Sequence, residues 1–72
     1  MNEKEKLRVL IPHWIEHNSE HAEEFRRWAD QAGPAAPDLL GAAQAIARAN
    51  KSLTDALEKL GGARPHEPSL DS

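Results

Sequence analysis

Cysteine and tyrosine are absent from this 72-residue chain, phenylalanine occurs once and tryptophan twice. Without cysteine, neither a disulfide nor a thiolate metal site can staple the fold. The apolar fraction of 39% is supplied largely by alanine, and a chain of this length buries only a modest share of its surface. The supports left are self-association, a metal held by imidazole or carboxylate groups, or unusually well packed helices. No apolar run approaches the roughly 20 residues of a membrane span. Acidic residues interrupt the opening MNEKEKLRVLIPHW, so no signal peptide is expected. Lysine and arginine number 9 against 12 aspartates and glutamates, a net charge of −3, which excludes the clustered basic surface of a nucleic-acid binder. A soluble cytoplasmic protein with no membrane or nucleic-acid partner is the expectation.

What the chain does contain is helical periodicity. Between Leu7 and Ala32 the larger apolar residues recur at spacings of three, four and seven, which marks an amphipathic helix. Asn2 followed by Glu5 resembles a capping box, and Gly33-Pro34 is a stop signal. The first helix is therefore expected at about residues 3–32, kinked near Pro12, which removes one backbone hydrogen bond and crowds the carbonyl of Arg8. Pro37 and Asp38 open a second helix, expected at about 38–60 and ended by Gly61-Gly62. Its stripe, Leu39, Ala43, Ile46, Asn50, Leu53, Leu57 and Leu60, is close to a heptad seam. Two long helices joined by a short connection make an all-α antiparallel hairpin over residues 2–61. Residues 62–72, with two prolines and little to bury, read as a disordered tail. Bulky residues beyond one narrow seam point to dimerisation into a four-helix bundle through faces carrying Trp14, Phe25, Trp28, Ile46, Leu53 and Leu57.

The stretch HWIEHNSEH, residues 13–21, concentrates three of the four histidines. His13, His17 and His21 recur every fourth residue, and H-x-x-E-H occurs twice, overlapping at His17. On a wheel of about 100° per residue, Phe25 marks the centre of the expected buried face, with Leu7, Trp14, Asn18 and Ala32 beside it. His21 then lies about 40° away, His17 about 80° and His13 about 120°. His21 is expected to be substantially buried, His17 at the rim and His13 most exposed. At 1.5 Å rise per residue, His13 and His21 are about 12 Å apart, too far for one ion to take all three from a straight helix. Adjacent pairs at i,i+4 suit zinc, nickel or copper. Glu20, Glu24, water or a second protomer are the expected further ligands. Histidines spaced this way on an acidic face can equally be solvated side chains in contact with neighbouring glutamates.

H-x-x-E-H is also the zinc motif of inverzincin proteases, but that chemistry needs a third ligand and a substrate cleft, so a non-catalytic role is expected. With the turn placed near residues 34–37, positions summing to about 71 face each other. Asn50 then meets His21 or Ala22, and Asn18 meets Leu53. Asn50 is thereby either a partner orienting the His21 ring or, like Asn18, a polar residue that sets register. Trp14 is a core residue or a shield for a metal site.

The run HWIEHNSEHAEEFRRWADQA resembles a small bacterial and archaeal family classed only as a domain of unknown function. Its members are short helical hairpins with an HW-x-x-HN-x-x-HA pattern. The likeness rests on His13, Trp14, His17, Asn18, His21, Ala22, Phe25 and Trp28, with Asn50 in an alanine-rich second helix, and covers roughly residues 7 to 60. It implies no established activity, only a metal-related role for the same residues. The expectation is a small metal-binding hairpin that pairs with itself, in metal handling or sensing. The alternative is an interaction module without metal, for itself or another protein.

Overall fold

Asn2 opens the first helix through its side chain. Its Oδ1 accepts a hydrogen bond from the Glu5 backbone N–H at 2.8 Å, satisfying one of the donors that a helix start leaves unpaired. The computed structural model describes residues 2–64. In it α1 spans Glu3–Ala29 and runs unbroken through Pro12. A 3-10 turn covers Gly33–Ala35, and α2 spans Ala36–Lys59 with Pro37 in its first turn. The two helices pack along their length as an antiparallel hairpin. Its thinnest dimension is 14 Å, little more than the diameter of one helix with its side chains.

The connection is shifted from where Gly33-Pro34 and Pro37 place it. α1 ends at Ala29 with Asp30 as cap, three residues before the expected limit, because Gln31 and Ala32 donate to the carbonyls of Trp28 and Ala29 in tighter i→i−3 bonds. Gly33 does not cap α1; at φ +55° it opens the next turn in the left-handed region that glycine enters without steric cost. α2 starts two residues earlier than expected. Both shifts move the turn towards the N-terminus and change the register. Asn18 faces Asn50, so opposite positions sum to about 68 and not 71.

The buried line on α1 is also rotated. Ile11, Ala22 and Ala29 are buried, together with Ala43 on α2. These α1 residues lie about 40–60° from Phe25 on the side away from the histidines. Trp14, expected at the centre of the face, is 40% exposed. The physical reason is size: alanine on both helices lets the backbones approach closely, whereas an indole at the contact line would hold them apart. The α2 stripe from Leu39 to Leu60 lies entirely at buried or half-buried positions. Ile46, Leu53 and Leu57 thus sit on the line that packs within the hairpin.

Pro12 has a consequence at the far end of the chain. It has no N–H for the Arg8 carbonyl, and the Arg64 backbone N–H takes that carbonyl at 3.2 Å. The Arg8 guanidinium in turn donates Nε–H to the Gly62 carbonyl at 2.7 Å. Arg64 closes the loop with an ion pair to Glu5, Nη1 to Oε2 at 2.6 Å. Glu5 therefore binds Arg64 and leaves the second half of the expected capping box unmade. The turn that allows this is a Schellman motif: Gly62 donates to the Leu57 carbonyl and Gly61 to that of Glu58. Residues 62–64, placed in the tail by composition, belong to the folded unit; the tail from residue 65 onward, His66 included, lies outside the described residues.

Two substitutions test this closure. Gly61 has φ +105°, and a Cβ there meets Arg8 only at an ordinary 3.7 Å, so Gly61→Ala is expected to cost about 1 kcal/mol through backbone strain alone. Arg8→Ala removes a charge-assisted bond and is expected to cost about 1.5–3 kcal/mol. It should also speed amide exchange at Arg64. Thermal melts and exchange rates check both; unchanged exchange at Arg64 in Arg8→Ala would mean the closing segment is held by something else.

Candidate functional site

α1 carries the whole histidine stripe, and all three rings are exposed. The His13 and His17 rings meet edge to face, with centroids 4.4 Å apart and an interplanar angle of 70°. His21 stands apart from them. Its ring lies 6.4 Å from Phe25, tilted by 33°, and its Nδ1 is 3.7 Å from Glu24 Oε1. The His21 side chain is 60% exposed, which corrects the expectation of a substantially buried ring. Rotation of α1 onto its alanine line is the cause, since it carries the entire histidine stripe outward.

The candidate ligands therefore divide. His13 and His17 form one close pair; His21 and Glu24 form another; Glu20 is exposed between them. Glu20, Glu24, Glu23 and Arg27 line an open depression beside His21. Among the described residues no three histidines or carboxylates are grouped so as to hold one ion, in keeping with the 1.5 Å rise per residue that spreads the stripe along the helix. The described residues of one hairpin supply at most a pair of ligands at any point.

The asparagines are engaged with each other and not with the histidines. Asn18 donates Nδ2–H to Asn50 Oδ1 at 3.0 Å. Asn50 Nδ2 donates to the Ile15 carbonyl at 3.3 Å and to Ser19 Oγ at 3.1 Å, and the Ser19 hydroxyl donates to the same carbonyl at 2.9 Å. Both ends of the Asn50 amide are thus taken, leaving nothing to orient His21. The network crosses the two helices at mid-length, where a one-step slip would break all of it. Ser19 was not singled out by its sequence position; its placement four residues after Ile15 is the signal, because a helical serine can bond back to that carbonyl.

Removing one partner of this network leaves half-buried amide groups unsatisfied. Asn50→Ala is expected to lower stability by about 1–3 kcal/mol. Replacing both asparagines by leucine should be far less costly, and it should admit alternative registers. A double-mutant cycle read by denaturant unfolding checks this; additive losses from Asn18→Leu and Asn50→Leu would contradict the coupling.

No helix among the described residues is long and apolar enough to cross a membrane. No curated protein and no solved structure matches the chain. Residues 7–60 match a family described as "Domain of unknown function (DUF8180)". That match covers α1 from Leu7 onward, all of α2, the asparagine network and the whole histidine stripe, and the chain belongs to this family of domains of unknown function.

Proposed function

We propose that the hairpin is a self-associating cytoplasmic module, completed to a four-helix bundle by a second copy, in which His17 and His21 of the histidine stripe take up a divalent transition metal without catalysing a reaction. The observation that carries this reading is the content of the open face of α1. Leu10 and Trp14 are each 40% exposed and Trp28 is 62% exposed, beside His17 and His21, in a molecule about one helix thick. Among the described residues, the hairpin's own core offers only Ile11 and three alanines as buried residues. Domains normally close two layers over a core, and a second copy supplies the missing one.

The metal part rests on the exposed imidazoles of His17 and His21 at i,i+4, with Glu24 Oε1 3.7 Å from His21 Nδ1, a donor set that suits zinc, nickel or copper. The second reading is an interaction module without metal, favoured by the lack of a three-ligand group within one described chain.

Metal titration with parallel thermal melts and sedimentation equilibrium separates the two. A bound ion at 100 times its dissociation constant stabilises the folded form by about 2.7 kcal/mol, or several degrees or more in a domain of this size. The expected result is a dimer whose melting midpoint rises with free zinc or nickel. A dimer indifferent to every divalent ion leaves the interaction module alone standing. A folded monomer at high micromolar concentration removes self-association and, with it, the metal site shared between copies.

A further inference from the structure

The exposed stripe has a spacing that the hairpin itself does not use. Leu10, Trp14, His17, His21, Glu24 and Trp28 follow one another at intervals of four, three, four, three and four residues, the repeat of a helix–helix seam. All six are exposed. The line that packs inside the hairpin, Ile11, Ile15, Asn18, Ala22, Phe25 and Ala29, has the same spacing one residue later and is buried or half-buried throughout. One residue is a turn of about 100°, so the outer seam faces roughly at right angles to the inner one. A square bundle of four helices requires that angle, because each helix touches two neighbours.

The second helix carries the matching feature. A two-fold axis relates antiparallel helices, so positions one residue before each packing line fall on the same broad face of the hairpin. On α2 these are Ala42, Ala45, Ala49, Ser52 and Ala56. Both outer lines read nearly the same in either direction, α1's about position 19 and α2's about Ala49. The two centres lie level across the hairpin, each one residue along from the Asn18–Asn50 hydrogen bond. A single two-fold axis can therefore pass through both.

The geometry points to a divalent-metal site on that axis, built from His17 and His21 of two copies whose α1 helices pack antiparallel. This rests on the self-association argued above and assigns its orientation. In this pairing His17 of one copy faces His21 of the other, Trp14 faces Glu24, and Leu10 faces Trp28. The four histidine Cα atoms lie about 3 Å above and below the axis, so four imidazoles converge on one centre, as a tetrahedral zinc site demands. Glu24, 3.7 Å from His21 Nδ1, is placed to hold that nitrogen's proton and leave Nε2 for the ion, the usual carboxylate–histidine–metal arrangement. Glu20 and Glu24 of both copies surround the centre, and the ion offsets their repulsion. A parallel pairing sets Glu24 against Glu24 and Trp28 against Trp28, a like-charge contact that disfavours it. His13 falls beside the seam, so the close His13–His17 contact is not the metal pair.

The test uses the full chain with zinc or nickel alone. One ion per two chains is expected, with dimer formation tightened by metal, since coupling between the two equilibria is reciprocal. His17→Ala and His21→Ala should each weaken binding at least tenfold, while His13→Ala should leave it unchanged; all three positions are exposed and their truncation spares the hairpin core. Because the chain has no cysteine, Ala49→Cys introduces a unique thiol on the axis. It should oxidise rapidly to a cross-linked dimer, whereas Lys51→Cys on the opposite face should not. One ion per chain, loss of binding in His13→Ala, or a dimer in which Ala49→Cys fails to cross-link overturns the site while leaving self-association intact. A monomer under all conditions overturns self-association as well.

Discussion

Close approach of two helices is the constraint on which this structure depends. It is available only where both helices present small side chains, and Ala22, Ala29 and Ala43 provide that line. The choice has a direct cost: the indoles of Trp14 and Trp28, which carry most of the aromatic area in the chain, are turned out of the hairpin. A line of alanines gives tight backbone packing and little buried hydrocarbon. The fold thus leaves its largest apolar groups, Trp14 and Trp28, on an open face and outside the hairpin's interior.

Two devices fix the remaining freedom of such a thin interface. At mid-length, the Asn18–Asn50 bond and its extension to Ser19 and the Ile15 carbonyl set the register. At the open end, Pro12 frees the Arg8 carbonyl, and the chain leaving α2 returns to occupy it through Arg64. A proline inside a helix is ordinarily a loss of about 3 kcal/mol. Here the missing donor is replaced from another part of the chain, and the same segment gains the Arg8–Gly62 bond. The Arg64–Glu5 pair adds little by itself, being partly exposed, but it fixes the direction in which the segment runs.

The fold was largely legible in the sequence because its signals are local. The cap at Asn2, the glycines after α2 and the entire α2 stripe follow from spacing and residue type. The face of α1 was not legible, because a hydrophobic wheel weights tryptophan and phenylalanine by size, whereas the contact line was decided by which residues allow close packing. That error of about 50° carried His21 into the expected interior, while a separate error of register set Asn50 against it. The register error has a different origin: i→i−3 bonds ended α1 before its glycine, a choice invisible to a rule that stops helices at Gly-Pro. The closure by Arg64 joins residues more than fifty positions apart, and only the orphaned carbonyl four residues before Pro12 hints at it.

The rotated face also changes what the histidines mean. Buried singly against Asn50, His21 would be a packing residue whose ring served the hairpin. Exposed one residue out of phase with the packing line, it stands outside the hairpin's own packing. The two seams are not independent, because both are carried by the same rigid turns of α1. The asparagine network that sets the hairpin's register therefore also sets the level at which His17 and His21 stand relative to the alanine line of α2. A slip of the hairpin by one heptad would leave each helix intact and still pack alanine against neighbouring side chains. It would, however, separate the centres of the two outer lines by about 10 Å, and no single two-fold axis could then pass through both. In the proposed dimer, register within the hairpin would in this way be a precondition for symmetric assembly, which would give the asparagines a role beyond their modest contribution to stability.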